Sequence, residues 1–442
     1  MSETVNIRQL VLDILLRVTK QEAYSHIALQ QVLEKYQYLD KKDRAFLTRM
    51  TEGTLEYLIQ IDYIIDQFSK VPVRKMKPVI CNIIRSGVYQ IRYMDAVPDA
   101  AACNEAVLLA KKKGFRNLSG FVNGVLRGIS RSKDRIVWPD KENDPLTFLS
   151  VRYSIPKWMI QMWRQDLYGG SELTELTDME QMLQAFLHPA PVTIRTNTNL
   201  CTPDELASRL AAEGVDVVPC KDLSDAFSIS GFDHLKALSG FKEGLFYVQD
   251  VSSMLVAHTA APREGDFVVD VCAAPGGKAV HMAQMMHGAG HILARDLTEY
   301  KVNLLTDNIR RCQVSNIQPQ IWDARVPDPA LAQRADLVVA DLPCSGLGVM
   351  RRKKDIRFHM TPEKITELAG LQREILAVVS QYVRPGGRIV YSTCTISRQE
   401  NEENAMWFLK EHTDFRMLSS RQILPGPMEG DGFYIAHFRK EP

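Results

Sequence analysis

Two cysteines stand just beyond two β-branched runs in the C-terminal part of the chain. Residues 335–341, ADLVVAD, lead into LPCSGLG and place Cys344 shortly after Asp341, whereas residues 387–393, GRIVYST, lead directly into Cys394. Both runs predict buried strands, and substrate sites of open α/β sheets form at strand ends. A lone cysteine at such a place is usually a small buried hydrophobic residue. Two of them, one close to an aspartate, favour a thiol nucleophile with a second thiol nearby.

A thiolate of this kind can add to carbon 6 of a pyrimidine ring. The addition converts the unreactive carbon 5 into an enamine carbon that accepts a methyl group. A second cysteine or another base must then help to remove the carbon 5 proton and release the enzyme. Asp341 can hydrogen-bond the ring nitrogen or amino group of a cytosine, which favours the addition, and positive charge from Lys278 would stabilise the thiolate.

Residues 267–278, FVVDVCAAPGGK, join a β-branched run to a small-residue turn and the start of a helix. The apolar run Val268, Val269 suits a strand buried on both faces of a parallel sheet. Gly276 and Gly277 let the backbone pass close to a ligand, and the free N–H groups of the new helix point toward it. A nucleotide-like ligand at this strand end is the natural inference, although such turns also occur as plain packing.

A second predicted strand, residues 291–296 (HILARD), also ends in an acid, Asp296. A carboxylate there can accept hydrogen bonds from both ribose hydroxyls. The glycine loop lacks the GxxxxGK[ST] spacing of a phosphate cradle and the GxGxxG of dinucleotide binders. An adenosine ligand without a phosphate, S-adenosylmethionine, therefore fits better than ATP or NAD.

The chain has 442 residues, so two or three domains are expected. It has no run of 18 apolar residues, and its N-terminus is too polar for a secretory signal, so we expect a cytoplasmic protein that spans no membrane. The eight cysteines form no CxxC pair and no zinc-type cluster with histidine. A disulfide framework or a metal site is therefore not expected.

The net charge of +1 hides an uneven distribution. Residues 1–135 hold 22 Lys+Arg against 14 Asp+Glu, and the basic excess is concentrated in residues 101–135. Such a patch can bind a polyanion through its phosphates, although a solvated helix face would have a similar composition. The RRKKD run, residues 351–355, likewise predicts contact with RNA phosphates rather than a merely solvated loop. The patch within residues 101–135 includes Lys111, Lys112, Lys113, Arg116, Arg127 and Arg131.

The chain divides into three blocks. Helical periodicity extends to about residue 132, with apolar faces at Val11, Leu15, Ile80 and Ile84. Short strands and helices alternate irregularly up to about residue 265, which predicts a small α+β module. Beyond this point strands and helices alternate regularly, and a doubly wound parallel sheet is expected.

Several motifs together resemble the RNA cytosine carbon-5 methyltransferases: DVCAAPGGK with its lead-in YVQDVSS, DLPCSGLG, RRKKDIRF, YSTCT and GDGFYIAHFRK. The N-terminal block resembles the helical RNA-binding fold of the antitermination factor NusB. That fusion is typical of the small-subunit ribosomal RNA methyltransferase B branch, the Sun or Fmu proteins. The resemblance spans nearly the whole chain. It implies an all-α NusB-like domain over residues 1–137, a small α+β module over 138–265 and a Rossmann-like S-adenosylmethionine-dependent methyltransferase domain over 266–442.

The resemblance also implies roles for individual residues. The Thr-Cys cysteine, Cys394, would be the nucleophile, and the Pro-Cys cysteine, Cys344, would assist product release. Asp323, at the end of the predicted strand 317–323, is expected on the adenine side of the cofactor. Because Arg295 directly precedes Asp296, the proposed ribose-binding acid, the sequence leaves the electrostatics around Asp296 open. The implied cofactor-binding residues are Cys272, Ala273, Ala274, Pro275, Gly276, Gly277, Lys278, Asp296, Asp323 and Asp341.

The implied reaction transfers a methyl group from S-adenosylmethionine to carbon 5 of a cytosine in small-subunit ribosomal RNA, with cytosine 967 of the 16S RNA as the type position. The substrate is either naked RNA or a partly assembled subunit, and a monomeric enzyme without a metal is expected. A transfer RNA or another ribosomal site remains an alternative substrate. A non-catalytic RNA-binding scaffold would predict a degraded cofactor loop, and a small-molecule methyltransferase would leave the appended domains without a purpose.

Overall fold

The structure, a computed structural model, describes residues 5–172, 177–221, 223–426 and 430–442. The chain forms two compact units. The first comprises Met1–Pro189 together with Met350–His359, and the second comprises Ala190–Val349 together with Met360–Pro442. The predicted three-domain division, with boundaries after residues 137 and 265, stays a prediction. Over the described ranges, no helix has both the length and the apolar character needed to cross a membrane.

The first unit is helical, as its periodicity predicts. The predicted faces at Val11, Leu15, Ile80 and Ile84 are all buried in a single hydrophobic core. Its helices are α1 (Ile7–Gln21), α2 (Ser25–Lys35), α3 (Lys41–Glu56), α4 (Leu58–Phe68), α5 (Pro78–Tyr93), α6 (Asp99–Lys112), α7 (Ser119–Arg131), α8 (Pro145–Tyr153), α9 (Lys157–Tyr168) and α10 (Thr177–Ala185).

The second unit begins with a four-stranded antiparallel sheet in the order β2-β3-β1-β4. Ile194, Phe227 and Phe246 from its strands pack with Leu206 and Leu210 of the adjoining helix in one small core. From residue 190 onward, the irregular alternation in the sequence therefore corresponds to an α+β arrangement. Before that point, the predicted α+β block instead contains the helices α8 to α10 of the first unit. The strands are β1 (Val192–Thr196), β2 (Asp216–Pro219), β3 (Ala226–Ser230) and β4 (Phe246–Val248).

A seven-stranded sheet in the order β10-β11-β9-β8-β5-β6-β7 forms the rest of the second unit. The five strands predicted from β-branched runs are present and pair in parallel. Val268 and Val269 belong to separate hydrophobic cores, as expected for a strand covered on both faces. The strands are β5 (Phe267–Asp270), β6 (His291–Asp296), β7 (Ile317–Ile321), β8 (Ala335–Asp341), β9 (Val383–Thr393), β10 (Phe415–Ile423) and β11 (Phe433–Lys440).

The sheet is not wholly parallel, so that expectation is wrong at one edge. β11 pairs antiparallel with β9, and β10 pairs antiparallel with β11, so these two consecutive strands are direct neighbours that run in opposite directions. The helices from residue 190 onward are α11 (Pro203–Ala212), α12 (Ser239–Lys242), α13 (Val251–Ala260), α14 (Gly277–Met285), α15 (Glu299–Arg311), α16 (Ile356–His359), α17 (Pro362–Val379) and α18 (Glu402–Glu411).

Residues 350–359, which include α16, are part of the first unit. The Arg357 guanidinium is buried and donates to the carbonyl oxygens of Glu56 at 2.8 Å, Phe186 at 3.0 Å and Ser154 at 3.4 Å. These three carbonyls lie at or just beyond the C-terminal ends of α3, α10 and α8. Carbonyls at helix ends lack intrahelical partners, so one cation satisfies the ends of three helices.

The phosphate-contact interpretation of the RRKKD run is wrong for Arg351 and Lys354, which are both buried. The Lys354 ammonium pairs with the Glu56 carboxylate, and the neighbouring Asp355 accepts a hydrogen bond from the Ser25 N–H at 2.9 Å. The partners of Lys354 and Asp355 therefore come from the first sixty residues of the chain, and the local charge pattern does not reveal them.

Candidate functional site

The loop between β5 and α14 has the predicted strand, turn and helix arrangement. Gly276 has a φ of 109°, which disfavours any residue with a side chain, and a Cβ there would lie 2.7 Å from Leu305 of α15. The expected conformation, one that a side chain would forbid, is present, and the close approach of a ligand to Gly276 stays a prediction. The packing of the loop against α15 is a further reason for glycine at this position.

A cavity of about 270 Å³ opens beside this loop, in the second unit. Asp341 at the end of β8 and Cys394 after β9 line it together with the loop. The strand order changes direction between β5 and β8, and ligands of open α/β sheets bind at such a switch point. The cavity is lined by Tyr247, Val248, Gln249, Asp250, Ser253, Cys272, Ala273, Ala274, Pro275, Gly277, Lys278, Asp341, Val349, Cys394, Asp431 and Phe433.

Several lining residues were not predicted as site residues. Tyr247, Gln249 and Asp250 lie within the YVQDVSS segment, and Asp431 and Phe433 lie within the GDGFY segment. Both segments contributed to the family resemblance, so the signal was present in the sequence. Their position in space was not, because β4 belongs to the four-stranded sheet and β11 pairs antiparallel beside β9, and neither arrangement follows from the local pattern.

Lys278 is the basic side chain of the cavity wall. Its ammonium donates to Asp341 at 2.6 Å, and the other oxygen of Asp341 accepts from the Ser392 hydroxyl at 2.8 Å. Burial disfavours the charged form of Lys278, but the carboxylates of Asp341 and Asp270 outweigh it and raise the Lys278 pKa. The ammonium therefore stays protonated close to the reactive thiols.

The two cysteines predicted at the strand ends, Cys344 and Cys394, are in contact. The Sγ atoms of Cys344 and Cys394 lie 3.2 Å apart, since β8 and β9 are neighbours in the sheet. The hydrogen bond to Cys394 and burial raise the pKa of the Cys344 thiol well above its ordinary value. Cys394 lines the cavity, whereas Cys344 is not among the lining residues. The pair thus offers one thiol that faces the cavity and a neighbour that tends to keep its proton.

Asp296 is buried beside the loop rather than in the cavity wall. Its carboxylate accepts from the backbone N–H groups of Ala274 at 3.0 Å and Leu297 at 2.8 Å, and it pairs with the Lys301 ammonium at 2.9 Å. The hydrogen bond from Ala274 thus joins the end of β6 to the loop between β5 and α14.

The side chains around Asp323 and Arg295 are already paired. Asp323 accepts from the Arg325 guanidinium at 2.7 Å, and this hydrogen bond lowers the Asp323 pKa. Arg295 pairs with Asp328 and stacks 4.4 Å from the centre of the Trp322 ring. Asp328, and not Asp296, therefore balances the positive charge of Arg295. This contact accounts for the electrostatics that the sequence left open next to Asp296.

Asp270, the last residue of β5, is a buried carboxyl group close to these charges. Neither of its oxygens has a hydrogen-bond partner within the described part of the chain. Burial raises its pKa to about 7, and the positive charge of Lys278 only partly offsets this effect. The group is therefore close to half protonated at neutral pH.

In the first unit, α6, α7 and the turn between them carry the predicted basic patch. Five of its six named groups are exposed, and the sixth, Lys113, pairs with Asp13 at 2.7 Å. We call these five exposed groups the basic face: Lys111, Lys112, Arg116, Arg127 and Arg131.

Three protein families match parts of the chain. Residues 5–131 match the NusB family, residues 155–233 match the RsmF/B-like ferredoxin-like domain, and residues 257–439 match the family described as 16S rRNA methyltransferase RsmB/F. A Bacillus subtilis protein named probable ribosomal RNA small subunit methyltransferase B is 34% identical, over 99% of this chain and 99% of its own length. The chain belongs to this methyltransferase B family.

Other relatives agree with this assignment to the methyltransferase B family. A Synechocystis protein with the same name is 32% identical over 99% of this chain and its own full length. The crystal structure of PH0851 superposes with a TM-score of 0.81 at 25% identity and covers 99% of both chains. The predicted fold class and the prediction of an S-adenosylmethionine-dependent RNA methyltransferase are confirmed.

We predict that Asp270→Asn stabilises the protein progressively as the pH rises from 5 to 8. The folded-state pKa of Asp270 is raised to about 7, so between roughly pH 4 and pH 7 the unfolded chain releases a proton that the folded chain retains. Wild-type stability therefore falls over this range, by up to about 4 kcal/mol for a shift of this size. Asp270→Asn removes the titrating carboxyl group, so the stability of the variant does not fall in this way.

The measurement is denaturant unfolding of both proteins, without cofactor, at pH 5 and pH 8. Asp307→Asn serves as the control because Asp307 is exposed. A pH-independent difference between Asp270→Asn and wild type would contradict the prediction.

Proposed function

We propose that this protein methylates carbon 5 of a cytosine in small-subunit ribosomal RNA through a covalent adduct with Cys394, with cytosine 967 of the 16S RNA as the position expected first. The observation that supports it is the contact between Cys344 and Cys394 at the edge of a cavity formed by the glycine loop. Another ribosomal site or a transfer RNA remains the alternative substrate for the same chemistry.

The residues around the cavity suit S-adenosylmethionine. Asp250, Asp341 and Asp431 line it with Lys278, so carboxylates outnumber the cation. Such a wall favours a ligand with ammonium and sulfonium charges and disfavours a phosphate. Cys272–Lys278, Asp296, Asp323 and Asp341 are the groups proposed to hold it. When bound, this cofactor supplies the methyl group.

Cys394 is the proposed nucleophile because it faces the cavity and lies near the Lys278 ammonium. Its thiolate adds to carbon 6 of the cytosine, and the ring electrons move so that carbon 5 becomes nucleophilic. Asp341 retains acceptor capacity on both oxygens and can hold the cytosine amino group while this bond forms.

Cys344 is proposed to complete the reaction. Before attack, the interaction with Cys394 and burial favour its protonated form. Once Cys394 is bonded to carbon 6 its charge is gone, so Cys344 can lose its proton to solvent more readily. The resulting thiolate removes the carbon 5 proton, the double bond between carbons 5 and 6 re-forms, and the electron pair of the carbon–sulfur bond returns to Cys394.

Substitutions of the two cysteines should therefore have different effects on the reaction. Cys394→Ala cannot form the adduct, so both methyl transfer and the RNA–protein crosslink should disappear. Cys344→Ala should still attack and methylate, but slow elimination should make the covalent complex accumulate. Denaturing gels of each variant with RNA and cofactor measure the crosslink, and bisulfite sequencing locates the modified cytosine. A stable crosslink with Cys394→Ala and none with Cys344→Ala would reverse the two roles.

Asp296 is proposed to recognise the ribose of the cofactor. Replacing it by asparagine should weaken S-adenosylmethionine binding about ten- to a hundredfold, since a hydrogen bond to a charged group contributes roughly 1.5–3 kcal/mol. Calorimetry with the cofactor and with its 2′-deoxy analogue separates ribose recognition from loop support. Wild type should discriminate between the two ligands and Asp296→Asn should not. Equal discrimination by both proteins would remove this role and leave Asp296 as a support for the loop.

The basic face is proposed to bind RNA phosphates. Replacing Lys111, Lys112 and Arg116 by glutamine should weaken RNA binding and make its salt dependence shallower, by roughly 0.7–0.9 in log–log slope for each lost contact. Cofactor affinity should not change. The control is the same charge change at Lys35, Lys41 and Lys42, which are also exposed. Equal slopes for the two triple variants would show that the face is only solvated.

A further inference from the structure

A buried acid in the second unit, Glu400, lies behind the cysteine pair. Its side chain is fully buried. One oxygen accepts from the backbone N–H of Ser345 at 2.9 Å and from the Gln372 amide at 3.0 Å, and the other accepts from the Ser345 hydroxyl. Nothing in the reaction described above uses this carboxylate. A buried charge is costly unless several donors satisfy it, so its place in the fold needs an explanation.

The hydrogen bonds around Glu400 run in one direction. An ionised carboxylate only accepts, so the Ser345 hydroxyl must donate to it. The Thr395 hydroxyl, 2.6 Å from that of Ser345, must then donate to Ser345. Thr395 in turn accepts from the Leu347 N–H at 3.3 Å. Each hydroxyl hydrogen has a single acceptor, and the chain of donors ends at Glu400.

This chain connects the residues that immediately follow the two cysteines. Ser345 follows Cys344, and Thr395 follows Cys394. The Gln372 amide also donates to the carbonyl of Pro343 at 2.9 Å, so the peptide groups on both sides of Cys344 are held. Without this network, the two loops would be joined mainly by strand pairing and by the Gly348 N–H that donates to the Cys394 carbonyl at 3.1 Å.

Gln372 is itself held in one orientation. Its carbonyl oxygen accepts from the Tyr391 hydroxyl at 3.0 Å and from the Asn404 amide at 2.8 Å, so its NH₂ group must face Pro343 and Glu400. Since all these side chains are buried, water cannot replace a lost partner without a rearrangement.

We propose that Glu400 is a positioning residue, which holds the loops after Cys344 and Cys394 at a fixed separation and so keeps the two thiols in contact through attack and release. This role in the reaction rests on the proposed function. The contact between the thiols can nevertheless be tested without RNA.

The first test uses Glu400→Gln, with Glu403→Gln as a control because Glu403 is an exposed acid only three residues further along the chain. Oxidation by diamide joins the two thiols as a disulfide and reduces the diamide, and its rate reports how often the sulfur atoms meet. Glu400→Gln should slow this oxidation several-fold, while Glu403→Gln should match wild type. An unchanged rate in Glu400→Gln would overturn the proposal.

The second test follows the reaction. Glu400→Gln should lower kcat by roughly 10- to 100-fold, the loss expected when reacting groups are misplaced by about 1 Å. KM for RNA and affinity for S-adenosylmethionine should stay near the wild-type values. A rise in KM with kcat unchanged would contradict a positioning role.

Thr395 supplies a matched pair in case Glu400→Gln fails to fold. Thr395→Ser keeps the hydroxyl and should retain the wild-type oxidation rate and kcat, whereas the nearly isosteric Thr395→Val removes it and should lose both. Equal behaviour of the two variants would overturn the proposal. If wild type oxidises as expected but does not methylate ribosomal RNA, the proposed function fails and the positioning of the thiols by Glu400 still stands.

Discussion

The ion pair between Lys278 and Asp341 is the contact on which the site depends. Lys278 lies in the first turn of α14 and Asp341 ends β8, so one 2.6 Å contact joins the glycine loop before α14 to the strand that leads to Cys344. Both side chains are largely buried, and losing one partner of such a pair typically costs about 3–5 kcal/mol because the other charge is left uncompensated. The same ammonium also partly offsets the burial of Asp270. Lys278 therefore contributes both to the architecture and to the electrostatics of this sheet edge.

The sequence predicts that these strand ends come together because the signals for each strand end are local. Each β-branched run is followed within a few residues by a polar group, and the parallel arrangement brings such strand ends together. The meeting of Cys344 and Cys394 follows from that rule. The 3.2 Å separation does not, since it also requires Ser345, Thr395 and Glu400 to form hydrogen bonds that no spacing reveals.

The features that the sequence does not predict depend on contacts between residues that lie far apart in the chain. The charges of Arg351 and Lys354 look like those of an exposed loop until Glu56, almost three hundred residues earlier, is found beside Lys354. The antiparallel edge formed by β10 and β11 was missed because the pattern of the preceding strands favoured a wholly parallel sheet. The backbone conformation of Gly276 was foreseen, but its packing against Leu305 was not, because Leu305 lies on another helix.

The contacts of Arg357 bear on how the chain folds during synthesis. The first unit contains residues from both ends of a long stretch of sequence, so its helices can form early while the carbonyls of Glu56, Ser154 and Phe186 still lack their cation. A ribosome releases the chain from its N-terminus, and domains generally fold as their residues emerge. Here the last hydrogen bonds of the helical unit have to wait for a segment that follows β5 to β8 in the chain. A fragment that stops at residue 189 would therefore lack the cation that these three helix ends share.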